Sequence, residues 1–404
     1  MRVHPVKVGS SIDELQSPES AQRQRLSLAV VPCANLMPSM MVATLGIALP
    51  EIRQTFSLSE VGAGSLFSVM MAIAAVTSGI AGRLADKLGR KRVLITGLSL
   101  LAAGFGLAGA SENPILFFLF LAVTGVGYGF TPPSLYAIMS DLMPTRRGLG
   151  ASLVSVTYGI GGAVGALLSS RVTSAFGWRA ALLTVSIIAA ADMLLQLCWI
   201  RNTDAHRAAA RPGSYRDALS FPILILALAE FVGGSVFWSA AAWTPTLLRT
   251  AKNLDLEEAG WIMSLLSLAN MCGSFCLGAL SDKFGRKRVV ALSAFPAAAA
   301  AFILFYWLQS SLALAIGITV FGIIKASVPA LVVALAQEAA PPGNAGTASG
   351  IVMSLHYFSG VVAPLLAGQI IAATGDIVLA MIMTTSLPLA LYGCLIGAAR
   401  ERTR

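Results

Sequence analysis

The chain has 404 residues, of which 56% are hydrophobic and only 12% charged; a soluble domain carries about 25% charged residues. Apolar runs of roughly 20 residues, the length that crosses a bilayer, recur to both ends and exclude a soluble enzyme or sensor. The net charge of +9 suggests nucleic acid as a partner, but the placement of the basic residues removes that reading.

Residues 1–26 are polar and carry both charge signs, which predicts a disordered cytoplasmic tail. No short apolar region there ends in a small-residue cleavage site, so a cleavable signal is not predicted. Twelve spans follow, near 27–49, 60–81, 92–110, 114–138, 149–170 and 178–200, then 221–248, 260–281, 289–308, 312–336, 346–372 and 376–397. With no water in hydrocarbon to satisfy the backbone, each must be a helix. The polar stretch at 201–220 is the one sizeable interruption, a cytoplasmic linker between a six-helix half at 27–200 and another at 221–397. Residues 398–404 form a second cytoplasmic tail.

Orientation follows from the basic residues. Of 28 Lys and Arg, 22 fall on the side that holds both tails. Five fall on the other: Arg53, Arg171, Arg179, Arg249 and Lys252. Lys325 lies inside a span. The charge bias therefore marks the cytoplasmic face of an inner (plasma) membrane. Trp178, Trp261 and Trp307 at outer ends, with Trp199 at an inner end, are expected as interfacial anchors. Cys33, Cys198, Cys272, Cys276 and Cys394 lie within the apolar runs, so neither a disulfide framework nor a zinc site is indicated.

The loop GRLADKLGRKR at 82–92 returns as GALSDKFGRKR at 278–288, displaced by 196 residues, which indicates an internal duplication. Further correspondences extend it: Asp141 with Glu338, Gly162 with Gly360, and Gly177 with Gly375. The loop and its echo resemble the signature loops between helices 2 and 3, and between 8 and 9, of the major facilitator superfamily. The resemblance implies an all-α membrane fold, twelve transmembrane helices in two pseudo-symmetric halves, with substrate held between them near the midplane. It also implies that helices 1, 4, 7 and 10 line the cavity. Asp86, Arg90 and Asp141 would form a lock on the cytoplasmic face, and Asp282, Arg286 and Glu338 would do the same in the second half. Gly89 and Gly285 permit the turn in each loop.

Cargo must be read from polar groups at depth, because a charge at a span's centre costs roughly 2.5–3.5 kcal/mol on the insertion scale. Three stand out: Asp192 in the sixth span, Glu230 in the seventh and Lys325 in the tenth. Asp192, on a peripheral helix, reads as a structural hydrogen-bonding residue. Glu230 and Lys325 would neutralise each other, and protonating Glu230 would free Lys325 for an anion; a static pair orienting two helices is the alternative. Asn35, Tyr128, Tyr136, Tyr158, Trp238, His356 and Tyr357 are the remaining substrate candidates, each of which also serves as plain packing. Histidine is the side-chain type that can exchange a proton near neutral pH, which makes His356, together with Glu230, a proton-coupling candidate. Pro132 and Pro133 are expected to break the fourth helix, and Pro329 the tenth.

Drug/proton antiporters of the superfamily carry an arginine four residues before a Gly in the fourth helix, where this chain has Leu121, and a Gly-Pro pair in the fifth, where it has Ala166. The fourth-to-fifth region is similar to the organic-acid branches, although the first span lacks the acidic residue of the aromatic-acid type. The expectation is a monomeric, proton-coupled carrier of a small organic anion in the bilayer, working by alternating access. Efflux of a hydrophobic drug-like compound and a transporter-like sensor are the alternatives. No GxxxxGK[ST] loop is present, so no nucleotide or other cofactor is called for.

Overall fold

A computed structural model describes residues 26–143, 147–200, 219–325, 330–341 and 345–398, and among these it contains helices and no strands. Among the described residues, eleven helices are long and apolar enough to cross a membrane. The tenth span is described as Ser311–Lys325 and Ala330–Ala339, on either side of Pro329, which lies outside the described residues. The two tails and nearly all of the linker lie outside them too.

In chain order the spans of the first half are Leu26–Thr55, Glu60–Leu88, Arg90–Ala110, Pro114–Leu142, Arg147–Phe176 and Trp178–Trp199. Those of the second half are Phe221–Thr250, Leu256–Phe284, Arg286–Trp307, the divided tenth, Ala345–Thr374 and Ile377–Ala398. Their starts are set locally. Ser59 accepts from the Gly62 amide, and Asp255 from that of Glu258, each satisfying an amide that the first turn leaves free. The duplication is visible in the turns. Gly89 and Gly285 both sit at positive φ, 93° and 90°, between the second and third helix of each half, a region that costs a side chain but not glycine.

Two expectations need correction. The fourth span is one continuous helix through Pro132 and Pro133. Neighbouring spans pack closely on it just before the prolines: Gly127 lies against the Gly97 carbonyl on the third span, and Gly129 against Thr77 and the Ala74 carbonyl on the second. Trp178 is not a lipid-facing anchor. It is 5% exposed, its indole N–H donates to Thr55 Oγ1 at 3.0 Å, and it packs edge-on to Phe56 and Phe117. Trp199, Trp261 and Trp307 are exposed as expected.

Among the described residues the halves meet chiefly along three helix pairs, second with eleventh, fifth with eighth and first with seventh, with a smaller contact of the first with the eighth. At the end away from the signature loops, here the far end, this seam is tight. Gly46 touches the Ala241 carbonyl, Gly64 the Pro364 carbonyl and Gly368 the Glu60 carbonyl, each leaving no space for a Cβ. Ser68 Oγ donates across the seam to the Val361 carbonyl at 2.6 Å, and Glu51 pairs with Arg249. Toward the signature end a Cβ at Gly79, Gly278 or Gly350 would meet nothing within 4 Å, and Tyr136 is 42% exposed. Among the described residues, the closest cross-seam contacts therefore gather at the far end.

Candidate functional site

The signature loops hold their arginines by acidic partners. Arg90 forms an ion pair with Asp141 and donates to the Ala137 carbonyl at 2.9 Å. Arg286 pairs with Glu338 at 2.6 Å. Both pairs join helices of a single half. The side chain of Asp86 lies outside the described residues. Asp282 is exposed and makes no ion pair among them, so the second loop presents a pair where the resemblance implied a triad.

The buried charges do not pair as the sequence suggested. Glu230 is fully buried, and its Oε1 lies 2.8 Å from His356 Nδ1. Lys325 is close enough to sense that carboxylate but makes no ion pair with it. Its ammonium instead stands 5.0 Å from the centre of the Phe237 ring and 6.0 Å from that of Phe321, within the range of cation–π attraction. Among the described residues no carboxylate contacts this buried ammonium, which rests against ring faces. Asp192 accepts from Gln196 Nε2 at 3.2 Å, and the same amide donates to the Val30 carbonyl at 2.8 Å. That arrangement ties the sixth span to the first and agrees with a structural role.

Five of the sequence candidates converge into one aromatic cluster. Tyr128 approaches Trp238 and Tyr357 at 6.3 and 6.1 Å between ring centres, and its hydroxyl lies 3.1 Å from that of Tyr158. Trp238 lies 5.9 Å from His356, and its indole N–H donates to the His356 carbonyl at 3.1 Å. Phe237 joins the parts, at 5.0 Å from Trp238, 6.1 Å from His356 and 6.4 Å from Tyr158. Tyr128 and Tyr158 come from the first half and the others from the second, so the cluster spans the seam.

One candidate falls elsewhere: Asn35 donates to the Val154 carbonyl at 2.9 Å and ties the first span to the fifth. Tyr136 bonds Ser155 and is partly exposed, yet it lies near enough to Tyr128, Tyr158 and Tyr357 to border the cluster.

Beside the aromatic cluster is a cavity of about 90 Å³ between the halves, lined by Lys325, Phe237, Tyr158, Ser39, Ser267 and Asn270 among others. It draws on the first, fifth, seventh, eighth and tenth spans. Ser39, Phe237, Ser267 and Asn270 escaped the sequence reading. The signal for the last two was the i, i+3 spacing of two polar residues on one helix face. A larger groove of about 440 Å³ between the seventh, eleventh and twelfth spans is walled by Phe231, Leu366, Leu387 and Leu391. No charged residue lines it and it opens on the apolar outer surface, so it is not the candidate site. No group of three or more metal-ligating side chains occurs among the described residues.

Comparisons with known proteins agree with this architecture. The sequence profile of the Major Facilitator Superfamily matches residues 33–364 and 226–401. The gallate transporter of Pseudomonas putida is 27% identical over 293 residues, 62% of this chain and 64% of that protein, so the match spans slightly under two thirds of the relative's length. The gentisate transporter of Corynebacterium glutamicum is 26% identical, over 81% of this chain and 77% of its own. Among solved structures, a bacterial homologue of the human lysosomal transporter Spinster superposes with a TM-score of 0.76 at 14% identity, covering 95% of this chain and 96% of that one. The chain belongs to the Major Facilitator Superfamily and is a membrane transporter, not an enzyme.

Proposed function

We propose that the protein carries an aromatic monocarboxylate together with a proton, by alternating access, across the cell's inner membrane with both termini cytoplasmic. The observation that carries this reading is Lys325: a buried ammonium with no carboxylate partner among the described residues, set against a wall of aromatic rings between the two halves. A single fixed cation suits a monoanion, and the flat faces of Phe237 and Tyr158 suit a ring. Relatives named for gallate and gentisate carry acids of that kind.

Charge balance supplies the coupling. With the Glu230–His356 pair deprotonated and no cargo, Lys325 and Glu230 leave the site neutral. One proton on the pair together with one carboxylate on Lys325 leaves it neutral again. Either one alone leaves an uncompensated unit charge at membrane depth, which is expensive to bury. Only the empty and the doubly loaded forms then close readily, which is symport. Close cross-seam contacts gathered at the far end suit a state that faces the cytoplasm.

The test is a thermal-stability screen of the detergent-purified protein, since a ligand that binds only the folded state raises the midpoint. Benzoate-type acids are expected to raise it, and Lys325→Ala to remove the shift. Glu230→Gln should keep the binding but make uptake into proteoliposomes indifferent to a pH gradient. A carboxylate shift that survives Lys325→Ala sinks the assignment. A shift with lipophilic cations that depends on Glu230 would instead make the protein an efflux pump.

A further inference from the structure

Two hydroxyls from opposite halves face each other at the far end of the central cavity. Ser39, on the first span, is 5% exposed, lines the cavity, and has no hydrogen-bond partner among the described residues. Ser267, on the eighth span, reaches only the Met263 carbonyl, at 3.4 Å, a long and weak contact. Both stand against Gly162 of the fifth span. A Cβ at that position would lie 2.9 Å from Ser39 Oγ and 2.7 Å from Ser267 Oγ, so the missing side chain is what gives the two hydroxyls their place.

Lys325 lies on the signature side of this pair. The eighth and tenth spans run in the same direction, and Gly322 packs on Leu266 and Ala269, which sets Ser267 level with Gly322. Three residues further along, at 1.5 Å of rise each, Lys325 is about 4.5 Å nearer the signature loops. The rings of Phe237 and Tyr158 line the same cavity. A bound acid is thus offered a cation at one end, aromatic walls, and two hydroxyls at the other.

We infer that Ser39 and Ser267 read a ring hydroxyl on an aromatic monocarboxylate whose carboxylate Lys325 holds. The inference rests on the aromatic-acid reading above and deepens it. A phenolic hydroxyl both donates and accepts, so it donates to one serine and accepts from the other. Because the serines belong to different halves, the cargo itself bonds the halves together at the far end. An unhydroxylated ring leaves Ser39 buried and unpaired, and a site built for a hydroxyl discriminates against the analogue that lacks it.

Calorimetric titration of the detergent-purified full chain with benzoate, 3-hydroxybenzoate and 4-hydroxybenzoate tests this. The wild type is expected to bind at least one hydroxybenzoate about tenfold tighter than benzoate. Ser39→Ala with Ser267→Ala should weaken the hydroxylated acid until the preference falls below about twofold. Gly162→Ala should do the same by displacing both hydroxyls while removing neither. Equal affinities in the wild type, or a preference that survives the double serine variant, overturn the inference. In either case, binding of all three acids that is lost in Lys325→Ala would leave the aromatic-acid reading standing. If none of the three binds, or Lys325→Ala changes nothing, that reading falls and takes this one with it.

Discussion

At the far end of the seam, Glu51 and Arg249 pair across the two halves, and Gly46, Gly64 and Gly368 each press against a carbonyl from the opposite half. At the signature end, Arg90 with Asp141 and Arg286 with Glu338 each stay inside one half, and a Cβ at Gly79, Gly278 or Gly350 would touch nothing. The sequence advertises the second region, with its repeated charged loop, and is nearly silent about the first. Yet the far end is what holds the halves together here. Ion pairs within a half make that half rigid, whereas carbonyls resting on glycines across the seam bring backbones into the close contact that membrane helices use in place of a hydrophobic driving force.

Three substitutions probe this contrast. Gly64→Val should have the largest effect, because any Cβ there collides with the Pro364 carbonyl. Overpacking of this kind costs about 1–3 kcal/mol, which lowers the population closed at the far end by about 5- to 150-fold. Spin labels on Gln54→Cys and Thr250→Cys, in a background without the five native cysteines, would report a longer distance, and transport should fall. An unchanged distance distribution with full transport would remove the glycine contacts from the closure.

Breaking the cross-seam ion pair should matter less. Glu51 and Arg249 are about a quarter exposed, and pairs of that kind are worth about 0.2–1 kcal/mol. Glu51→Gln or Arg249→Gln should shift the same labels toward the long distance by no more than about fivefold. The charge swap Glu51→Arg with Arg249→Glu should restore the short one. If the swap behaves like the sum of the single changes, the pair is not part of the closure.

The smallest effect is expected from Arg286→Ala. That pair is more exposed, 34% and 54% for its two side chains, and joins helices that already belong together. A loss of stability below about 1 kcal/mol and unmoved far-end labels are the expected result. A large label shift would mean that the signature loops reach across the seam even in this state.

Much of the fold was legible because its causes are local. A run of some twenty apolar residues has to be a helix in hydrocarbon wherever it stands in the chain. Gly89 and Gly285 announce their turns because only a residue without Cβ sits easily at positive φ. The candidate site was legible as a set of residue types and not as an arrangement. Glu230, Lys325, Trp238, His356 and Tyr357 were all visible as polar or aromatic groups at depth. Asn35 looked the same but is engaged with the Val154 carbonyl. Phe237 escaped the sequence reading, yet it links Lys325 to His356.

The sequence by itself determined the spans, the two halves, their duplication and the glycine turns, since hydrophobic length and backbone sterics act over a few residues. Only the tertiary structure decided who meets whom. Glu230 and His356 are 126 residues apart in the chain, and Ser39 and Ser267 come from different halves. Their meeting depends on which face each helix turns inward and on how deep each helix sits against its neighbours. Those two quantities are set by close packing among all the helices at once, and no local pattern in the chain records them.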